Sequence, residues 1–272
     1  MKASPIWRWE KGRRPRRWPD ELAMEEPLEI RVDDRAVAVT MRTPGHDEEL
    51  AVGFLVSEGL IDRREQVVNT ATHPRNANRN VMNVFLADGV QIDFQRLIRH
   101  TFVSSSCGLC GKASIESVRR QFPPVRGAIR VRAETVLALP EHLRQGQTAF
   151  ARTGGLHAAG LFDLAGNLLL VREDIGRHNA VDKVLGRSFL DGRLPLDRHV
   201  LVVSGRASFE IMQKALAGRL PIVVAVSAPS SLAVEFARAS RQTLVGFIRD
   251  ERMNIYAGYK RIVFTAPSRR RP

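Results

Sequence analysis

Two cysteines, Cys107 and Cys110, are the whole thiol complement of the chain, and they sit as C-x-x-C in Ser104-Ser105-Ser106-Cys107-Gly108-Leu109-Cys110-Gly111-Lys112. Small residues surround both thiols. Just beyond them, Lys112 to Phe122 reads as a helix carried by Ala113, Ile115, Glu116, Val118 and Arg119. A thiol near a helix N-terminus meets free backbone N–H groups and the positive end of the helix dipole, which lower its pKa and favour the nucleophilic thiolate. Four chemistries use such a pair. A structural zinc site wants four ligands, commonly two C-x-x-C pairs, and no second pair exists here. A thioredoxin-like redox pair would head a β-α-β unit, which is not evident at this position. A zinc deaminase combines H-x-E with P-C-x-x-C. His46-Asp47-Glu48 offers the first half, but Ser106 replaces the proline and about sixty residues separate the halves. The fourth chemistry is a sulfur carrier, in which a thiolate accepts a sulfane sulfur and a neighbour helps release it.

Other polar groups gather at the ends of expected strands. Ser204-Gly205-Arg206 and Ser227-Ala228-Pro229-Ser230-Ser231 each follow an apolar run and precede a helix, with Ser208 placed to cap the first. Ordinary helix capping explains the serines; an anionic ligand explains the serines, glycine and arginine together. Thr153-Gly154-Gly155-Leu156-His157 allows close backbone approach, although a lone histidine is more often structural. Glu173 to Lys183 packs His178, Asn179, Asp182 and Lys183 around a strand-to-helix turn, a density that favours function. Phe247-Ile248-Arg249-Asp250-Glu251-Arg252 joins two late strands, and its arginines could clamp phosphates through guanidinium forks.

The elements that must position these groups form two sets. Leu28 to Val32 and Ala36 to Met41 read as strands around Asp33-Asp34, and a helix opens at Asp47-Glu48-Glu49 with Leu50, Phe54 and Leu55 on one face. Val81 to Leu86 and Val90 to Phe94 suggest a hairpin around Asp88-Gly89. Later, Ala133 to Arg144 is a helix, Leu156 to Asp163 and Leu168 to Arg172 are strands, and Arg177 to Phe189 is a helix. Val200 to Val203, Ser208 to Ala217, Ile222 to Val226, Ser231 to Ser240, Leu244 to Ile248 and Met253 to Tyr256 then alternate strand, helix, strand, helix, strand, strand. That pattern predicts an α/β fold with a mixed, largely parallel sheet covered by helices, and ligands beyond the carboxyl ends of its strands. The expected division is a basic, poorly ordered arm over 1–24, a small N-terminal α+β domain over 25–103, an α/β domain over 104–262 and a basic tail over 263–272.

Charge supports that division. Of the formal net charge of +13, residues 1–20 and 260–272 carry +5 each, leaving only +3 on the body. A basic face spread over a folded body is the mark of a nucleic-acid binder, and its absence argues against that class. No apolar run reaches the roughly 18 residues of a membrane helix, and the early arginine pairs lead into Trp-Pro-Asp-Glu rather than an apolar segment. Two cysteines in so long a chain do not make a secreted disulfide framework, so the expected compartment is the cytoplasm.

Taken together, S-S-S-C-G-L-C-G-K, T-G-G-L-H-A-A-G-L-F, E-D-I-G-R-H-N-A-V-D-K, F-I-R-D-E-R-M-N-I-Y and D-E-E-L-A-V-G-F-L-V-S-E-G-L-I resemble the FdhD family of formate dehydrogenase accessory sulfurtransferases. The resemblance spans roughly residues 25–262. It implies a cytidine-deaminase-like mixed sheet covered by helices, with a smaller N-terminal α+β domain. It also implies a homodimer that takes sulfane sulfur from a cysteine desulfurase and passes it to a molybdenum (or tungsten) bis-molybdopterin guanine dinucleotide cofactor destined for formate dehydrogenase. On that reading Cys107 forms the persulfide, Cys110 is the paired thiol, and Phe247, Ile248, Arg249, Asp250, Glu251 and Arg252 hold the cofactor. No permanently bound metal, nucleic acid or membrane is implied. A non-catalytic cofactor chaperone and a zinc deaminase are the competing functions.

Overall fold

The computed structural model describes residues 1–72, 80–94, 121–249 and 251–265. The C-x-x-C stretch, nearly all of the helix expected after it, and the expected domain boundary lie outside those residues.

The first 24 residues depart from the expected irregular arm. Strands β1 (Lys2–Arg8) and β2 (Arg16–Leu22) pair antiparallel from Lys2–Leu22 to Arg8–Arg16. Arginine and tryptophan, which lack any period in the sequence, pack across the ribbon: Arg8 and Arg16 each lie 4.7 Å from the Trp18 ring and Arg17 lies 5.6 Å from Trp7. Such contacts are favourable at exposed sites, and they supply what a periodic apolar face would otherwise provide.

The next unit is a four-stranded sheet of β3 (Glu26–Val32), β4 (Arg35–Arg42), β5 (Val67–Thr72) and β6 (Val81–Leu86) in the order β4-β3-β6-β5. The hairpin expected around Asp88-Gly89 does not form. β6 already has β3 parallel on one side and β5 antiparallel on the other, so no edge is left for Val90 to Phe94. Helix α1 (Asp47–Ser57) covers this sheet and is buried on more than the one face its sequence suggests: Leu50, Ala51, Val52, Leu55 and Val56 are all inaccessible or nearly so.

The second unit starts with β7 (Val131–Arg132), α2 (Ala133–Gly146) and α3 (Thr148–Thr153). The central sheet then assembles from β8 (His157–Phe162), β9 (Leu168–Asp174), β10 (Val200–Val203), β11 (Ile222–Ala225), β12 (Thr243–Arg249) and β13 (Arg252–Ala257). Helices α4 (Arg177–Leu190), α5 (Phe209–Ala217) and α6 (Ser231–Ala239) intervene, and β14 (Ile262–Val263) pairs with β7. The sheet order is β13-β12-β11-β10-β8-β9. The mixed α/β reading holds, but only the β10–β11 and β11–β12 pairs are parallel, fewer than expected. The two tight connections, β8 to β9 and β12 to β13, account for the antiparallel flanks.

Period-2 alternation sorts the central strands onto two cores. Leu201, Val203, Val223 and Ala225 face α4, α5 and α6, whereas Val200, Val202, Ile222 and Val224 face α2. Both faces are covered, which is why these strands read as unbroken apolar runs. Each fully buried aliphatic side chain contributes about 1.5–3 kcal/mol relative to exposure. Ser208 and Ser230 cap α5 and α6 by accepting from the Ile211 and Ala233 N–H groups, as their position before the apolar periods predicts.

The two units meet where α1 crosses α4. A Cβ on Gly53 would fall 1.8 Å from the Asp182 carbonyl oxygen, and one on Gly186 would fall 1.8 Å from that of Glu49, so the helices touch backbone to backbone. Phe189 of α4 joins Leu50, Leu55 and Val84 in the core of the first unit.

Candidate functional site

Beyond the carboxyl ends of β10, β11 and β12 lies an open cavity of about 630 Å³. Its floor is Ser204, Val226, Ile248 and Arg249, and its walls come from α2, α3 and the Gly154–His157 segment. The volume falls in the range of small-molecule sites.

Local sequence explains how the walls are held. The Glu173 carboxylate accepts from the Ala149 and Phe150 N–H groups at 2.9 and 2.7 Å, capping the short helix α3 from a neighbouring strand. Gly154, with φ 66°, ends α3 in the left-handed region where glycine is unstrained. The chain can therefore turn at once into β8, where the Ala158 N–H donates to Ser204 Oγ at 2.9 Å. His157, at the start of β8, lines the cavity. Burial lowers its pKa, and Arg177 and His178 nearby lower it further, so the imidazole is neutral at pH 7. Arg144 stacks over the Phe150 ring at 4.7 Å on the opposite wall. Arg144 and Arg249 against Glu141 leave the lining net positive.

A second polar group sits behind the cavity at the start of α4. His178 Nε2 lies 3.2 Å from both Ser208 Oγ and Glu210 Oε2. Its hydrogen bond is the main cause that holds the Glu210 carboxyl down at about 2, against the opposing effect of burial. Arg177 Nε is buried with no hydrogen-bond partner among the described residues. Gly205 passes close by: a Cβ there would lie 3.2 Å from His157 Nδ1 and 3.7 Å from Arg177 Cδ. Sequence reading did not find Glu210, because only the fold brings it to His178.

The Glu173–Lys183 motif divides among structural tasks more than its density suggests. Asp174, fully buried, accepts from Lys183 Nζ at 2.7 Å and from Asn179 Nδ2 at 2.9 Å, and also from the Thr43 and Gly176 N–H groups. Lys183 Nζ and Asn179 Nδ2 further donate to the carbonyls of Thr43 and Met41. These bonds fasten the end of β4 to the turn before α4. Asp182 instead holds Lys214 at 2.8 and 2.9 Å, with Ser57 of α1 accepting from the same ammonium. Burial opposes the charge on Lys214, but Asp182 overcomes it and raises the pKa.

Of the expected cofactor segment, Ile248 and Arg249 border the cavity, Ile248 buried and Arg249 exposed. Phe247 is 41% exposed and adopts φ 51°, a left-handed conformation unusual for an aromatic residue, at an irregularity in the β12–β13 ladder. Its N–H donates to the Ser227 carbonyl at 3.2 Å, which ties the irregularity to the serine loop after β11. Glu251 and Arg252 are exposed at the turn and do not line the cavity, and Asp250 lies outside the described residues. Cys107 and Cys110 lie outside them as well.

His46, from the H-x-E half of the deaminase reading, has a side chain that is 53% exposed. It precedes α1 with φ 58°, and its Nδ1 lies 3.5 Å from Glu49, whose carboxylate pairs with Arg172 at 2.5 and 2.7 Å. No cluster of three His, Cys, Asp or Glu suited to a metal occurs among the described residues.

Residues 23–263 match the FdhD/NarQ family. The chain belongs to that family. It is 50% identical to the sulfur carrier protein FdhD of Streptomyces avermitilis over 260 residues, covering 91% of each chain. It is 51% identical to the protein of the same name from Mycobacterium tuberculosis over 254 residues, covering 90% of this chain and 92% of that one. The fold is similar to the crystal structure of a Desulfotalea psychrophila protein assigned as a formate dehydrogenase accessory protein. That match has a TM-score of 0.76 and 25% identity, and covers 96% of this chain and 99% of the other. The family match starts at residue 23, so the Arg/Trp hairpin lies outside it. No helix among the described residues is long and apolar enough to cross a membrane.

Proposed function

We propose that this protein is a sulfur carrier serving formate dehydrogenase, a sulfurtransferase that holds sulfane sulfur on Cys107 and delivers it to a molybdenum or tungsten bis-molybdopterin guanine dinucleotide. The observation that carries this reading is likeness over nine-tenths of the chain to proteins named as sulfur carriers. The cavity beside Ile248 and Arg249 supports it. Its net positive lining and nearby partnerless Arg177 Nε suit a ligand that carries several phosphate charges, and Arg249 can meet phosphate oxygens in a bidentate manner. Phe247, exposed and held in an unusual backbone conformation, offers a ring against which a base can stack.

The chemistry balances with the two thiols the chain possesses. The Cys107 thiolate attacks the terminal sulfur of a cysteine desulfurase persulfide, the desulfurase thiolate leaves, and Cys107 becomes a persulfide. The terminal sulfur then binds the metal of the cofactor, which is the substrate. The Cys110 thiolate attacks Cys107 Sγ, the carrier S–S bond breaks, and sulfide departs on the metal. A Cys107–Cys110 disulfide remains, and an external dithiol returns it to two thiols with two electrons. The partners are a cysteine desulfurase and formate dehydrogenase, with the protein acting in the cytoplasm as a homodimer.

Intact-mass spectrometry of the full chain after incubation with a cysteine desulfurase and cysteine tests the assignment. Wild type should gain the mass of one sulfur atom and lose it to a reductant, and Cys107→Ala should gain none. Undiminished persulfide on Cys107→Ala would refute the role of Cys107.

A further inference from the structure

A second cavity lies at the other end of the same sheet. It measures about 580 Å³ and opens at the amino end of β12, next to Gln242 and Gly258. The length of β12 separates it from the first cavity, about 20 Å for a seven-residue strand. Arg130, Arg238, Arg241, Lys260 and Arg261 line it together with Tyr259, and no carboxylate does so among the described residues.

We propose that this cavity binds a phosphate-bearing small molecule, at a site distinct from the one beside Arg249. Three separate segments bring the cations together: the loop before β7, the C-terminal end of α6, and the turn after β13. Favourable interaction with a helix C-terminus accounts for Arg238 and Arg241, but it does not account for Arg130, Lys260 or Arg261. Arg130, Arg241 and Lys260 make no ion pair among the described residues, and Arg238 reaches only the Tyr256 carbonyl at 3.5 Å.

Arg261 is the most telling member. Its Nη1 donates to the Arg241 carbonyl at 2.8 Å, but its Nε is buried without a hydrogen-bond partner. Burial lowers its pKa with no opposing carboxylate. Leaving a buried donor unsatisfied is costly, and crowding like charges in a concave wall raises the local concentration of anions. A phosphate group offers acceptors to several guanidinium groups at once and neutralises that field. The exposed Tyr259 ring at the rim provides a flat face for a base or other planar group. A volume of about 580 Å³ matches a small polyphosphate better than an extended acidic polypeptide.

Calorimetric titration of the full chain with inorganic pyrophosphate tests the proposal, using wild type, Arg241→Ser/Lys260→Ser and Arg249→Ser. Both residues of the double variant are exposed, so the fold is retained. Expected is a saturable binding event that weakens at least tenfold in the double variant and persists within twofold in Arg249→Ser, whatever separate event that variant removes from the first cavity. Loss in Arg249→Ser with retention in the double variant would place the anion in the first cavity and overturn the proposal. Absence of saturable binding would overturn it too. Hexaglutamate binding more tightly than pyrophosphate, through the same two residues, would show instead a surface for acidic protein segments.

Discussion

Glu49→Gln isolates one of the ties between the two units. Glu49 stands in the first turn of α1 and is 7% exposed, and it meets the Arg172 guanidinium of β9 through both carboxylate oxygens. Burial pushes its pKa up, but the Arg172 hydrogen bonds and His46 outweigh that and bring it down from 4.5 to about 2. The folded protein therefore binds fewer protons at this site than the unfolded chain does. The associated stability is fully present above pH 4.5 and is lost as pH falls toward 2. At 1.36 kcal/mol per pKa unit the depression corresponds to about 3 kcal/mol, of which about two-thirds is gone by pH 3. Glutamine keeps the shape of the side chain and one acceptor but removes the charge. Urea denaturation followed by circular dichroism should show Glu49→Gln about 3 kcal/mol less stable than wild type at pH 7, with the difference shrinking to about 1 kcal/mol at pH 3. A difference below about 1 kcal/mol at pH 7, or one that does not change with pH, would refute the reasoning.

Two further substitutions probe the same junction. Lys214→Met should cost about 3–5 kcal/mol, because it leaves the buried Asp182 carboxylate without its cation; Lys214→Met/Asp182→Leu should recover much of the loss, as read from urea midpoints. Gly186→Ala should lower stability by on the order of 3 kcal/mol, since its Cβ has no room against the Glu49 carbonyl; a thermal midpoint within about 2 °C of wild type would contradict the backbone-to-backbone crossing.

Local patterns made the central sheet legible from sequence. Val200–Val203 and Ile222–Ala225 are short β-branched runs, each followed by a serine that caps the next helix, and the expected and observed bounds agree closely. β5 was not legible: Val67-Val68-Asn69-Thr70-Ala71-Thr72 carries no clean alternation, and its partner β6 fixes it in place. The N-terminal hairpin was hidden for a related reason, because its stabilising contacts are arginine on tryptophan rather than a period of apolar residues. At the site, Arg249 was found through its motif, whereas Glu210 and the ion pairs Arg172–Glu49 and Lys214–Asp182 depend on tertiary proximity between distant segments. Glu173 to Lys183 showed how polar density misleads. Several of its groups serve to join the units rather than to meet a ligand.

The glycine crossing of α1 and α4 has a mechanical consequence. Packed helices commonly slide past one another by letting interposed side chains change rotamer, and Gly53 and Gly186 remove those intermediaries. Shear along this contact would have to lift one main chain off the other and pull Phe189 out of the neighbouring core. The four-stranded sheet and the six-stranded sheet are therefore joined by a contact that resists shear. On the proposed function, a cofactor entering the first cavity would be accommodated by the segments around its mouth.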